Sequence, residues 1–235
     1  MKVKVTYVTD AYCCWCYGFA ANMSKLVAAY EERISIRVLN GGMIIGKRPI
    51  GHVFGGFPDP IGLHMHISRL SGQVFGESYL EHIRDLENSP RQMDSMIPAQ
   101  AMAVFRAEQP GNEYAQAAAI QHAYYAEGLD LLSNQTYEII STRLGIDPAI
   151  VLARLHTQET RRLVAEEFNT VRKLGVGGYP AVLVEQKDGR LKSLANGFMP
   201  YAELARGLDL ILERETTGEQ LSAGQNCGLD GRGCA

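Results

Sequence analysis

The residues best suited to chemistry lie together near the start of the chain, in Cys13-Cys14-Trp15-Cys16. Positions i and i+3 share one helix face, so the sulfurs of Cys13 and Cys16 can close a small disulfide ring. Where a helix begins at this point, its unpaired N–H groups and dipole favour a thiolate, which predicts a lowered pKa for Cys13. Cys13 is then the nucleophile, and Cys16, one turn deeper and better buried, attacks the mixed disulfide to release product. A Cys-x-x-Cys pair is also half of a zinc site, and the other half would have to be Cys227 and Cys234. Their spacing is wider than ligand pairs use, so the redox reading is preferred and no metal is expected. A bond from Cys14 to either neighbour is disfavoured by disulfide geometry, so Cys14 is expected to face solvent as a spare thiol. Cys227 and Cys234 are either a surface disulfide or exposed thiols, or else an auxiliary dithiol tethered to the first centre by a Gly-rich tail.

These are all five cysteines of a 235-residue chain, in two clusters at opposite ends. A disulfide scaffold spreads its cysteines through the fold, so clustering points to redox or metal chemistry instead. Apolar residues make up 46% and charged residues 21%, the balance of a globular chain with a sizeable core. A net charge of -3 supplies no basic field for phosphate backbones, so nucleic acid is not expected as a partner. The first residues alternate in polarity rather than forming a signal-peptide core, and Ala115 to Ile120 is too short to span a bilayer. No membrane role is expected. The default location is the cytoplasm, where a short-spaced Cys pair is more often catalytic or metal-binding than structural.

The elements that must position this cluster are legible from periodicity. Val3, Val5 and Tyr7 alternate with polar residues as in a half-buried strand, and Cys16, Phe19, Met23, Leu26, Val27 and Tyr30 form a helical stripe. Ile34, Ile36 and Val38 alternate again before Asn40-Gly41-Gly42, which completes a βαβ unit with parallel strands. From Gly46 to His156 the pattern is one of successive helices, although Gly46 to Pro60 reads as loop with no assigned element. Pro98 suits a first helical turn, Asn112 can cap the following Ala-rich helix, and Gly128 can end it. A helix over Glu159 to Leu174 leads through Gly175-Val176-Gly177-Gly178-Tyr179-Pro180 to a hairpin, Ala181–Val184 and Leu191–Ala195, turned by Lys187-Asp188-Gly189. Pro200 opens a last helix.

Three separated segments resemble the DsbA-like branch of the thioredoxin superfamily, in its cytoplasmic protein-disulfide-isomerase-like group. They are Asp10-Ala11-Tyr12-Cys13-Cys14-Trp15-Cys16-Tyr17-Gly18, Leu39-Asn40-Gly41-Gly42-Met43 and Leu174-Gly175-Val176-Gly177-Gly178-Tyr179-Pro180. The departures are Ala11 where proline is common, the extra Cys14 and the Cys-containing tail. The resemblance implies an α/β thioredoxin-like fold of βαβ and ββα halves, residues 1–45 and 159–215, with a helical domain inserted at 46–158 and a tail at 216–235. It implies a cis bond between Tyr179 and Pro180, which sets that loop against the Cys pair and offers the backbone of Tyr179 to an extended substrate. It further implies a thiol–disulfide oxidoreductase, a reductase or isomerase, with no organic cofactor. The expected partners are protein or peptide thiols and disulfides, together with a reductant such as glutathione or a thioredoxin system. Two alternatives stand beside it. One is a glutathione-dependent transferase or isomerase, against which the intact Cys-x-x-Cys argues, and the other is a redox-sensitive adaptor. Trp15 is read as a recognition surface flanking the thiols or as packing against the helices. Asp10 tunes Cys13 or caps the active-site turn, and His64 and His66 diverge on a helix and read as surface or satisfied core histidines rather than ligands.

Overall fold

A computed structural model describes residues 2–217, without the side chains of 215–217. Strand β1 (Val3–Thr9) leads into helix α1 (Cys14–Tyr30) and strand β2 (Ile34–Asn40). The two strands are parallel, with Val3 opposite Ile34 and Thr9 opposite Asn40. Both therefore end at one level, which delivers Asp10 and the Gly41-Gly42 turn side by side. After a long helical stretch the chain returns as β5 (Ala181–Glu185) and β6 (Leu191–Asn196), and closes with α10 (Tyr201–Thr217). The sheet order is β2-β1-β5-β6, with β5 antiparallel to both of its neighbours. The sequence places the hairpin correctly, because apolar residues 181 to 184 are buried and Asp-Gly turns the chain.

Between β2 and β5 the chain is mostly helical: α2 (Ile50–Phe54), α3 (Pro60–Ser71), α4 (Glu77–Arg84), α5 (Met96–Glu108), α6 (Glu113–Tyr125), α7 (Asn134–Leu144), α8 (Pro148–Leu155) and α9 (Gln158–Lys173). Local chemistry fixes several starts. Asp59 accepts the N–H of Gly62 at 2.7 Å ahead of Pro60, Asp147 accepts that of Ala149 at 2.9 Å ahead of Pro148, and Thr157 accepts that of Thr160 at 3.2 Å. Asn112 does occupy the cap position of α6, yet its amide donates to Gln109 at 3.2 Å and makes no cap bond. The stretch after Gly46, where periodicity assigns nothing, holds α2 and a two-residue strand β3 (Arg48–Pro49) that pairs with β4 (Gln92–Met93). Two-residue strands carry no periodicity, and their partner is more than forty residues away.

The apolar core runs without a break from the sheet (Val5, Tyr7, Val38) into the helices (Phe105, Tyr124, Tyr137). Helix α10 lies along α1, where Asn22 donates to the Met199 carbonyl at 2.9 Å and the Tyr30 hydroxyl donates to that of Ala205 at 3.3 Å. Among the described residues no helix is long and apolar enough to cross a membrane.

Candidate active site

Cys13 is the N-cap of α1. Its backbone is extended, and its sulfur accepts the N–H of Cys16 at 3.1 Å, the role a Ser or Asp side chain commonly takes at a helix start. The preceding turn is held from within. Asp10 Oδ1 accepts the N–H of Tyr12 at 3.0 Å, and the Cys13 N–H donates to the Asp10 carbonyl at 3.2 Å. Across the site the thiol of Cys13 points to the Tyr179 carbonyl at 3.6 Å, and the peptide bond between Tyr179 and Pro180 is cis. The fold thus brings Cys13 and Cys16 beside Tyr179 and Pro180, far apart in the chain. Cys13, Cys14 and Cys16 are free thiols, and among the described residues no cluster of His, Cys, Asp or Glu is arranged to hold a metal ion.

The electrostatics of Cys13 differ from expectation. Burial pushes the thiol up, and the side chain of Cys16 adds to that, while the N–H of Cys16 acts in the opposite direction. The net direction is upward, because one helix-terminal N–H does not offset the loss of water around a nearly closed sulfur. Thiolate at Cys13 therefore grows as pH rises through and beyond the usual thiol range.

Cys14 is the second correction. It does not face solvent but is buried in the same core as Tyr79, Tyr124 and Tyr125. Burial drives its pKa up to about 12, and unlike Cys13 its thiol makes no contact with the Tyr179 carbonyl, although it too borders the cavity. The reason for its burial is that helices pack around the start of α1, so the flank a free helix would show to water is covered. Trp15 is half-buried: its ring meets His66 at 5.9 Å and Phe198 at 6.0 Å, and it also lines the cavity at the site. His64 is a satisfied core histidine, with Nδ1 bonded to the Pro60 carbonyl at 2.6 Å and Nε2 to the Tyr79 hydroxyl at 2.8 Å. Cys227 and Cys234 lie outside the described residues.

The contacts that hold the site go beyond the capping role the sequence suggests for Asp10, and Ser95 and Gln121 give no signal in the sequence. Asp10 is fully buried and also accepts the N–H of Met43 at 2.7 Å and the hydroxyl of Ser95 at 2.9 Å, while that hydroxyl oxygen accepts the N–H of Ile44 at 3.0 Å. One carboxylate thus fastens the Cys13 turn, the turn after β2 and the start of α5. Burial raises its pKa against the lowering effect of these bonds. Gln121 on α6 donates to Thr9 Oγ1 at 3.0 Å and to the Asp10 carbonyl at 3.1 Å. Tyr179 lays its ring over Gly41 and donates its hydroxyl to the Gly41 carbonyl at 2.9 Å; a Cβ at Gly41 would overlap that ring. The partners are separated by 33 to 138 residues, and no local pattern announces such a pairing.

A cavity of about 850 Å³ opens beside Cys13, between the Tyr179 loop and the segment from Met43 to Phe57. That is the size of a pocket for a small molecule or a short peptide.

Comparison with known proteins gives a family model, the DSBA-like thioredoxin domain, over residues 4–208. No curated protein matches the sequence. Among solved structures, a putative protein disulfide isomerase from Nitrosomonas europaea is 21% identical with a TM-score of 0.75, covering 91% of this chain and 99% of its own. The cytosolic disulfide reductase DsbM from Pseudomonas aeruginosa is 24% identical with a TM-score of 0.69, covering 91% and 98%. It has also been solved with GSH, with a TM-score of 0.67. At these identities the likeness is one of fold.

Proposed function

The chain belongs to the DSBA-like thioredoxin domain family, and on that basis we propose that it reduces or isomerises disulfides through Cys13 and Cys16. The observation that carries this reading is the position of Cys13: a helix N-cap whose sulfur faces the carbonyl before Pro180 at the edge of a cavity. In the forward step the Cys13 thiolate attacks one sulfur of a substrate disulfide. The S–S bond breaks, and the other sulfur leaves with the electron pair and takes up a proton. Cys16, as thiolate, then attacks Cys13 and expels the first substrate sulfur in the same way, leaving a Cys13–Cys16 disulfide. Two electrons from a thiol reductant, glutathione or a thioredoxin system, restore the dithiol. No organic cofactor or metal enters these steps.

Trp15, Tyr179 and Pro180 form the substrate-binding surface of this proposal, and Cys14 has no step to perform. Cys227 and Cys234 are either a structural pair or an auxiliary dithiol; if they relay electrons, replacing both by Ser slows turnover with the physiological reductant, and unchanged turnover removes the relay. We read residues 1–45 and 159–215 as the thioredoxin-like unit, 46–158 as the inserted helical domain and 216–235 as the tail. A cytoplasmic location and a net reducing or isomerising direction fit a chain whose cysteines are few and clustered. A glutathione-type reductant accords with the GSH complex of the Pseudomonas aeruginosa protein.

Insulin reduction in the presence of dithiothreitol tests the reading. The chain should accelerate insulin precipitation, and Cys13→Ser should return the rate to background. A Cys13→Ser variant as active as the parent would sink the proposal. The reduction potential of the pair then sets direction, since about 30 mV shifts a two-electron equilibrium tenfold.

A further inference from the structure

The cavity beside Cys13 is lined by two kinds of chemistry. Inside, Ile44, Phe54 and Leu63 make an apolar wall, while at its mouth Met43, Ile45 and Phe57 are 41%, 57% and 48% exposed. Large apolar side chains left open around a cavity that is already apolar form one continuous patch, and such patches mark contact surfaces. Among the lining residues the one permanently charged side chain is Arg48, Lys47 precedes it, and no Asp or Glu is present; the neighbouring acid Glu87 lies on a separate depression beyond Pro49 and His52. Among the described residues neither Lys47 nor Arg48 has an ion-pair partner. Asp59, the nearest acid along the chain, is occupied in capping α3.

A third feature bears on the form of the occupant. Gly177 and Gly178 present bare backbone to the cavity, and among the described residues the N–H groups of 177–179 make no hydrogen bond. An open run of backbone beside the reacting sulfur matches an extended chain, which can supply main-chain partners along its length, better than a compact small molecule.

Resting on the thiol–disulfide reading above, we propose that this cavity selects cysteine-containing peptide segments that carry an apolar side chain beside the cysteine and a carboxylate towards Arg48. The apolar neighbour enters between Phe54, Leu63 and the mouth residues, and the carboxylate meets Arg48 with Lys47 behind it. A basic segment meets two like charges instead and is disfavoured.

The full chain carrying Cys16→Ser tests this with short peptides whose cysteine is activated as a 2-pyridyl disulfide. The Cys13 thiolate attacks the peptide sulfur, the bond to the pyridyl sulfur breaks, and pyridine-2-thiolate leaves with the electron pair and is protonated to the coloured thione. Each rate is divided by that of the same peptide with 2-mercaptoethanol, which removes intrinsic reactivity. Phe-Cys-Glu should react about fivefold faster than Phe-Cys-Lys, the size of a partly exposed charge pair. It should react about tenfold faster than Ser-Cys-Glu, the effect of partly burying an aromatic side chain. Arg48→Glu should invert the Glu-over-Lys preference, and Phe57→Ser should shrink the Phe-over-Ser preference. Added salt should weaken the first and spare the second. Equal normalised rates for all peptides, or an Arg48→Glu variant with the parent's charge preference, would overturn the proposal. The uncharged 2-hydroxyethyl 2-pyridyl disulfide separates the two ideas. Reaction with it but no peptide discrimination overturns the selection alone, and no reaction at all overturns the thiol–disulfide reading and the selection together.

Discussion

Strands β2 and β6 both form outer edges of the same sheet, but their unpaired backbone groups meet different surroundings. Along β2 the edge is finished by charged side chains from three helices. Glu113 of α6 accepts the Val38 N–H at 2.7 Å, Arg106 of α5 donates to the Val38 carbonyl at 2.8 Å, and Glu167 of α9 accepts the Asn40 N–H at 2.6 Å. Arg106 also bonds Glu167 at 2.8 Å, so the three side chains form one network with alternating charge. Along β6 residues 191 to 194 alternate between exposed and half-buried, with Leu191 40% exposed, and Ala195 is buried. A bare edge is a template for pairing with another chain. The β2 edge avoids this with ions from the helices, whereas β6 carries Lys192 within it and is preceded by Arg190.

Both edges reach the site, β6 through Gly197, whose N–H donates to the Pro180 carbonyl at 2.7 Å, but only along β2 does a charged network continue into it. Asn40, held through both its backbone N–H and its amide by Glu167, is followed by Gly41, on which the Tyr179 ring rests. Helices α5 and α9 are thereby linked, through Arg106, Glu167 and Asn40, to the loop that faces Cys13. The most damaging way to break the asymmetry is Glu167→Ala. It strips the Asn40 N–H of its acceptor and leaves the Arg106 charge, only 26% exposed, without its main partner. A loss of about 3 kcal/mol of unfolding free energy is expected, the cost of orphaning one side of a largely buried pair. Urea denaturation reads it, and a loss under 1 kcal/mol would mean that the network is decoration.

Glu113→Gln is a finer cut at the same edge. The amide oxygen keeps the Val38 N–H satisfied, and only the longer contact to Arg106, 3.5 Å, loses its charge. About 1 kcal/mol should go. Adding Glu167→Ala to this variant should give less than the sum of the two losses, because the residues share Arg106. Strict additivity would show that the two acids act independently.

The contrast between the edges also separates what the sequence discloses from what it does not. Strand β1, the βαβ unit, the 181–195 hairpin and the Cys13–Cys16 placement follow from periods of two and 3.6 and from turn chemistry, all of which are local. Glu167, Arg106, Ser95 and Gln121 look like ordinary polar residues of amphipathic helices, because their partners lie 51 to 127 residues away. Cys14 fails for a related reason. A helix start read alone exposes that position, and only the packing of distant aromatic residues closes it. The tuning of Cys13 likewise depends on how much water the surrounding helices remove, which no spacing encodes.

Asp10, on the β2 side of the molecule, gives a pH signature that β6 lacks. Burial raises its pKa in the folded chain, so the folded state keeps the proton to higher pH than the unfolded state does. The stabilisation from that proton is complete below the unfolded carboxylate range and disappears as pH rises through the folded value. Stability should therefore decline with pH across that window, as a slope rather than a step. Asp10→Asn cannot titrate, so its profile should be flatter than the parent's over the same range. An Asn profile parallel to the parent's would assign the slope to another group.

The smallest effect belongs to the other edge. Leu191→Lys places a charge on β6, opposite Glu185 of β5 and next to Lys192. The leucine removed is 40% exposed, and the change leaves no polar group buried, so little apolar burial is lost and no backbone bond is touched. Unfolding free energy should move by less than about 0.5 kcal/mol, as it does for surface substitutions away from caps, cavities and networks. Insulin reduction should be unaltered, because Leu191 pairs with Glu185 at the end of β6 away from Asn196 and Gly197, which adjoin Pro180, and the Cys13 turn is fastened by Asp10. If Leu191→Lys instead cost as much as Glu113→Gln, the β6 edge would be bearing on the fold as heavily as the charged one. The claim that the helices stabilise the site through β2 would then lose its basis.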